Sequence, residues 1–423
     1  MGMTIAEKIL AAHSGRKSVK VGDSVTAKID QVCITDNFAS VDASMKKAGI
    51  EGGLSRVWDK ERVMVLIDHV APAMDKNVEM AEKHVAVRNL AKKLGLPNSF
   101  DVKAGIGHQV ILDKGFILPG SLVVIADSHA TTHGALNCGA TGVGEADMAW
   151  ALSFGELWFT VPPTIKFEIS GPLNDGVMAK DIFLHVSGTY GTDMAQYKAI
   201  EWAGPGVGLL SLDGRLSISN QSVEIGAKFS IFPADQKTLD FLEGRAVRPF
   251  EPVEADPDAS YETAYTIDAS QLEPLVAEPH GMDVVNRADH YQDVALQQAN
   301  IGGCSNGRLE DIAVAARIMK GKKVHPDVRC IVGPASWEVY KAAMKAGYLE
   351  TLIDAGVIVT HPHCGPCTGT MGTLAPGEVC ITATSRNFKG RMGSPEAFIY
   401  LASPATVAAS AIAGHIIDPR EVL

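Results

Sequence analysis

Along the first 160 residues, short apolar runs rich in β-branched side chains alternate with stretches of helical pattern. This alternation limits the fold more than any other feature of the chain. Residues 63–67, 109–112 and 122–126 have the length of strands. Residues 4–13 and 80–94 have the pattern of helices, and Thr4 with Glu7 has the spacing of a capping box. Strands separated by helices predict a mainly parallel sheet covered on its faces, so the fold class is α/β. In open α/β sheets ligands collect at the carboxyl ends of the strands. Residues 63–67 run into Asp68-His69, and 122–126 run into Asp127-Ser128-His129. These junctions are the first polar candidates.

The same pattern repeats downstream. A second α/β unit starts after Pro162-Pro163, with a strand expected at 164–169 and an irregular, Pro- and acid-rich excursion at 247–262. Strand patterns resume at Tyr265. A third unit begins near residue 290. The expected domains are 1–162, 163–289 and 290–423. A hydrophobic share of 46% is enough for large cores, so disorder is not expected. The net charge of −11 argues against a phosphate-backbone binder, and no nucleic-acid partner is expected. Residues 402–417 are the most apolar late stretch, yet Pro404, Gly414 and His415 interrupt them; they read as a packed helix and not as a membrane span. No signal peptide is seen, so the expected compartment is the cytoplasm.

The clustered thiols lie in the third unit. At 358–369 (IVTHPHCGPCTG) a buried strand is expected to stop at a tight turn carrying Cys364 and Cys367. This spacing suits a disulfide, a zinc half-site completed by His361 or His363, or two corners of an iron–sulfur cluster. Cys304 sits 60 residues earlier in a glycine-rich turn, before a helix expected at 309–319, a place that favours a thiolate. Three thiolates suffice for a cubane cluster with one iron left open as a Lewis acid. Cys33, Cys138, Cys330 and Cys380 read as small buried hydrophobes. Arg386 and Arg391 flank a glycine and suit carboxylate recognition. Asp68-His69, His108 and Asp127-Ser128-His129 pair imidazoles with carboxylates, which suits proton transfer to a leaving hydroxyl. Glu224 is a further acid. The glycine-dense loop 134–144 leads into a helix expected around 147–155 and leaves room for close ligand approach.

Taken together, Asp68-His69, GIGHQ (105–109), DSHATTHG (127–134), GATGVGEAD (139–147), NQSVEIGA (220–227), GGCSNGRLED (302–311), HCGPCTG (363–369) and RNFKGRMGSPEA (386–397) resemble the aconitase superfamily. The nearest resemblance is to the large subunits of its 3-isopropylmalate dehydratase and homoaconitase branch. The resemblance implies three α/β/α domains and a [4Fe–4S] cluster on Cys304, Cys364 and Cys367. It implies that Asp68 with His69 protonates the departing hydroxyl, and that His108, Asp127, His129 and Glu224 form the surrounding acid–base network. Asn220 is implied to hydrogen-bond near the cluster, and Arg386 and Arg391 to hold substrate carboxylate. The implied reaction dehydrates and rehydrates a hydroxy di- or tricarboxylic acid. 3-Isopropylmalate is the expected substrate, with homocitrate/homoaconitate or a methylated malate as alternatives. A thiol–disulfide oxidoreductase remains the alternative from the CxxC alone. The family's serine base lies on a swivelling domain with a Gly-Ser-Ser-Arg-type motif. This sequence has no such motif, so a separate small subunit is the implied partner. Ser305, His363 and Ser385 depart from the pattern, where Thr, Gly and Asn are usual. They bear on which side group the pocket accepts.

Overall fold

The computed structural model describes residues 2–73 and 76–423. The chain forms two compact units, each assembled from separated segments. Residues 1–169, 195–208 and 222–266 make the first; 170–194, 209–221 and 267–423 make the second.

The first unit contains a five-stranded parallel sheet. Its order is Ser99–Phe100, Val63–Leu66, Gln31–Ile34, Leu122–Ile125 and Gly139–Gly142. The middle three strands are buried at every residue, as β-branched runs must be when both faces are covered. From Gln31–Ile34 the chain steps outward twice in one direction, then returns to lay Leu122–Ile125 on the other side. The sheet therefore has a topological switch point between these two strands. The helix Ile5–His13 begins with the expected capping box: Thr4 Oγ1 accepts from Glu7 N, and Thr4 N donates to Glu7 Oε2 at 2.8 Å. At its far end His13 Nε2 lies 2.5 Å from Asp30 Oδ2. Asp30 also accepts from Leu122 N and from Arg62, so one carboxylate ties the helix to the strand Leu122–Ile125 and to the turn just before Val63–Leu66.

The second unit is built on a seven-stranded sheet. Its order is Val285–Arg287, Leu275–Ala277, Phe398–Ala402, Val379–Thr382, Gln298–Ile301, Arg329–Val332 and Ile358–Val359. The last five strands are parallel; the first two run antiparallel to their neighbours. Here the switch point falls between Gln298–Ile301 and Val379–Thr382. The helices Leu309–Met319 and Pro404–Ala413 cover the sheet. The second is buried along its first eight residues, Pro404 to Ala411, as its Ala-rich sequence allows. No helix among the described residues is long and apolar enough to cross a membrane.

Two expectations need correcting. Residues 109–112 are not a strand; they belong to the helix Gly107–Asp113. A run of four apolar residues looks the same in a buried strand and in a helix buried all round, and this helix is buried from Gly107 to Leu112. His108 therefore sits in a first helical turn and not at a strand end. The strand before the CxxC is Ile358–Val359, at the edge of its sheet, and Ile358 is 51% exposed. It is not the buried strand its β-branched residues suggested.

Candidate active site

Each switch point carries one constellation of reactive side chains. In the first unit it is an acid–base network. Asp36 follows the strand Gln31–Ile34, Asp68-His69 follow Val63–Leu66, and Asp127 follows Leu122–Ile125. Three adjacent parallel strands thus deliver carboxylates to one edge. Asp36 accepts from the backbone N of Asp68 at 3.2 Å and of His69 at 3.0 Å, so it fixes the turn that carries them. His69 Nδ1 lies 3.0 Å from Asp68 Oδ1 and 3.1 Å from Asp36 Oδ2, and its Nε2 lies 3.3 Å from Asp127 Oδ2. Both ring nitrogens are thus placed to donate to carboxylates. Asp68 also accepts from Gly107 N at 2.7 Å; a Cβ at Gly107 would sit 3.1 Å from that same oxygen, so the close approach depends on glycine.

Three histidines converge on Asp127, two through their rings and one through its backbone. His108 Nε2 is 2.7 Å from Oδ1, His69 Nε2 is 3.3 Å from Oδ2, and His129 donates its backbone N to Oδ1 at 2.9 Å. Burial works against the Asp127 charge, but His108 first, then His129 and His69, outweigh it and hold the carboxyl well below its usual range. His129 Nε2 lies 3.0 Å from Glu224 Oε1, on the short helix Ser222–Ile225. The structure thus brings Asp68, His69, His108, Asp127, His129 and Glu224 into one connected set. Asp36 and His133 belong to it as well, His133 Nε2 being 3.3 Å from His108 Nδ1. Neither was singled out in the sequence. Asp36 was visible there, since 31–34 is another apolar run ending in an acid. Beside the network a cleft of about 560 Å³ is lined by Asp127, Ser128, Thr131, Tyr197 and Lys228.

In the second unit the switch point carries the thiols. Cys304 follows Gln298–Ile301 in a single helical turn, Gly303–Asn306. Gly303 has φ +77°, and a Cβ on Gly302 would meet the Gly333 carbonyl oxygen at 2.9 Å, so the two glycines are what let this turn form. Arg308 is buried and clamps the turn, donating to the carbonyl oxygens of Cys304 at 2.6 Å and Ser305 at 2.7 Å. Cys364 and Cys367 bracket a second helical turn, with Cys367 N donating to Cys364 O at 3.1 Å. Asn300, on the strand leading to Cys304, donates to the Pro366 carbonyl at 3.3 Å and docks one turn against the other.

None of the three sulfurs is joined in a disulfide. Side-chain donors aim at them. Asn220 Nδ2 lies 3.2 Å from Cys304 Sγ, and Arg391 Nη2 lies 3.3 Å from Cys367 Sγ. The Ser385 hydroxyl is 3.5 Å from Cys367 Sγ and 3.9 Å from Cys304 Sγ. Burial opposes a charge on Cys367, but Arg391 and then Ser385 pull the thiol down to about 7. Burial also opposes the Arg391 charge, yet Cys367, Cys304 and Cys364 together raise it. One guanidinium therefore feels all three cysteines. Its Nε is buried without a partner, which leaves it a donor for a further acceptor. Arg386 is half-buried in the turn after the strand Val379–Thr382. The remaining cysteines behave as expected for packed hydrophobes: burial pushes the thiols of Cys33, Cys138, Cys330 and Cys380 up.

This donor set fits a group that binds through thiolates. Amide, hydroxyl and guanidinium donors directed at sulfur stabilise thiolate charge and tune a thiolate-ligated cluster.

Comparison with known proteins agrees. The model of the aconitase family (aconitate hydratase) matches residues 7–414. The 3-isopropylmalate dehydratase large subunit 1 of Methanopyrus kandleri is 47% identical over the full length of both chains. The 3-isopropylmalate dehydratase large subunit of Heliobacterium modesticaldum is 45% identical over the full length of both, and that of Aquifex aeolicus 44% identical over all of this chain and 98% of its own. Among solved structures, Thermococcus kodakaraensis aconitase X in its holo-form superposes with a TM-score of 0.52 at 13% identity, over 92% of this chain and 93% of that one, a likeness of fold.

Proposed function

The chain belongs to the aconitase family, and on that footing we propose that it is the large, cluster-binding subunit of a hydro-lyase, with 3-isopropylmalate as substrate. Leucine biosynthesis is the corresponding context. The observation that carries the reading is the set of donors on the thiols: Asn220, Ser385 and Arg391 each face a sulfur, and Arg391 feels all three. Cys304, Cys364 and Cys367 would hold a [4Fe–4S] cluster. When bound, it supplies a Lewis acid through an iron that no cysteine ligates.

The chain's own residues supply the rest. Hydroxide leaves carbon poorly, so the departing oxygen needs a proton. His69, whose nitrogens face three carboxylates, is the proton store for that step, with Asp68 and Asp36 holding its ring. Asp127, kept ionised, orients His108 and His69 as donors, and Glu224 orients His129. Arg391, through its spare Nε, and Arg386 take substrate carboxylate. Asn220 settles the charge on the Cys304 sulfur. The base for the proton beside a carboxylate comes from a small subunit, a partner supported by relatives named as large subunits. We also retain 1–162, 163–289 and 290–423 as the domain division.

The test is reconstitution. Cluster-loaded chain is mixed anaerobically with the small subunit and 3-isopropylmalate, and the alkene product is followed by its ultraviolet absorbance. Turnover is expected only with both subunits. Full turnover by the chain alone would overturn the two-subunit reading. Turnover of a methylated malate or of homoaconitate, and not of 3-isopropylmalate, would overturn the substrate.

A further inference from the structure

Lys180 is the second residue of the helix Ala179–Tyr190 and is completely buried. A lysine cut off from water must pass its donors to protein acceptors or give up its charge. Its Nζ donates to two backbone carbonyl oxygens, Ala383 at 2.7 Å and Thr384 at 2.7 Å. These two residues lie between the strand Val379–Thr382 and Ser385, whose hydroxyl faces Cys304 and Cys367. Ser305, the neighbour of Cys304, donates to the same Ala383 carbonyl at 3.1 Å. One ammonium and one hydroxyl therefore hold the strand end that presents Ser385 to the sulfurs.

The ammonium is also in the field of the thiols. Burial pushes it down to about 7, while Asp311, Cys367, Asp181 and Cys304 work in the other direction. Burial pushes Asp311 and Asp181 up to about 7 as well. Two of the groups that favour the Lys180 charge, Cys367 and Cys304, are buried cysteines of the thiol site.

Resting on the cluster reading above, we propose that Lys180 is a positioning residue of the cluster site: it pins residues 383–385 against Cys304 and Cys367 and places a buried positive charge behind them. A buried lysine that only satisfied two carbonyls would leave the bound group's electronic properties untouched. That difference makes the assignment testable.

The experiment compares wild-type chain with Lys180→Met and Lys180→Gln, each reconstituted anaerobically with iron and sulfide. The readouts are circular dichroism for the fold, the midpoint potential of the bound cluster, and the rate of iron loss to a chelator. Both variants lack the charge, so both are expected to shift the potential to more negative values. Lys180→Met, which also lacks donors, should lose iron about tenfold faster or more, the usual scale for outer-sphere partners of a metal site. Folded variants with the wild-type potential and iron-loss rate would overturn the proposal. Failure of both variants to fold would make Lys180 a lysine of the fold itself and overturn it too. If wild-type chain takes up no cluster, the cluster reading falls and this inference with it. A cluster in all three proteins with one common potential sinks Lys180 alone.

Discussion

Asp127 is where the first unit's chemistry converges, because His108, His69 and His129 all reach it. Replacing it by Asn keeps the shape and removes the charge that orients two rings. Asp127→Asn is expected to lower kcat of the reconstituted enzyme by about 10²–10⁴-fold, the range of general acid–base catalysis, with iron content unchanged. Loss of iron in that variant would show that the network supports the cluster and not proton transfer. On the second unit, Arg391 holds the Cys367 thiol at about 7. The sign is that of a depressed acid: the thiolate, and the stability it lends the cluster-free chain, are present at higher pH and are lost as pH falls through about 7. In Arg391→Gln the thiolate absorbance of the cluster-free chain should appear only at higher pH, towards the ordinary thiol range. An unchanged titration would remove Arg391 from the site. At this scale the sequence was most legible in which reactive side chains would gather, as with the thiols of the second unit and the Asp-His pairs of the first, while it left their chemistry open. Ser385 and Lys180 were not legible as partners of the thiols. A serine or lysine announces no role until its neighbours in space are known.

At the scale of elements, both constellations sit where a parallel sheet reverses its strand order, and this follows from the alternating pattern of the sequence. The junctions after residues 67 and 126 were readable because a buried strand must end in its first polar residues. Residues 109–112 were not readable, since periodicity cannot separate four apolar residues in a strand from four in a fully buried helix. Packing decided it: Gly107 has to approach Asp68, and a helix start provides the backbone N–H. The helix Ile5–His13 offers two checks on local stability. Thr4→Ala removes the cap and should cost about 1 kcal/mol, read as a lower midpoint in urea. His13 and Asp30 give a pH signature. Burial would lower the His13 value, but Asp30 outweighs it and raises it; burial would raise Asp30, but His13 and Arg62 outweigh it and lower it. The His13 contribution is complete below the ordinary histidine value and is lost as pH rises through the raised one. The Asp30 contribution is complete above the ordinary aspartate value and is lost as pH falls through the lowered one. The stability difference between wild type and His13→Asn should therefore be largest in mildly acid solution and shrink on both sides. A flat difference would mean the pair is held by packing and not by charge.

At the scale of the molecule, neither compact unit is a continuous stretch of chain. The chain crosses from the second unit to the first between Gln221 and Ser222, so NQSVEIGA gives Asn220 to the thiol site and Glu224 to the acid–base network. One short motif serving both constellations is why it reads so weakly as a local pattern. The joint order of motifs along the chain was legible and led to the family. The segment crossings were not, because they are a matter of contacts and not of composition. The central claim is that three thiolates hold a cluster with one iron free of cysteine. Electron paramagnetic resonance on anaerobically prepared chain, before and after brief oxidation, tests it most directly. The account predicts that oxidation releases one iron and yields a three-iron signal, that ferrous iron reverses the change, and that Cys304→Ala shows neither. Zinc in place of iron, or a reversible Cys364–Cys367 disulfide with no signal after reconstitution, would contradict it.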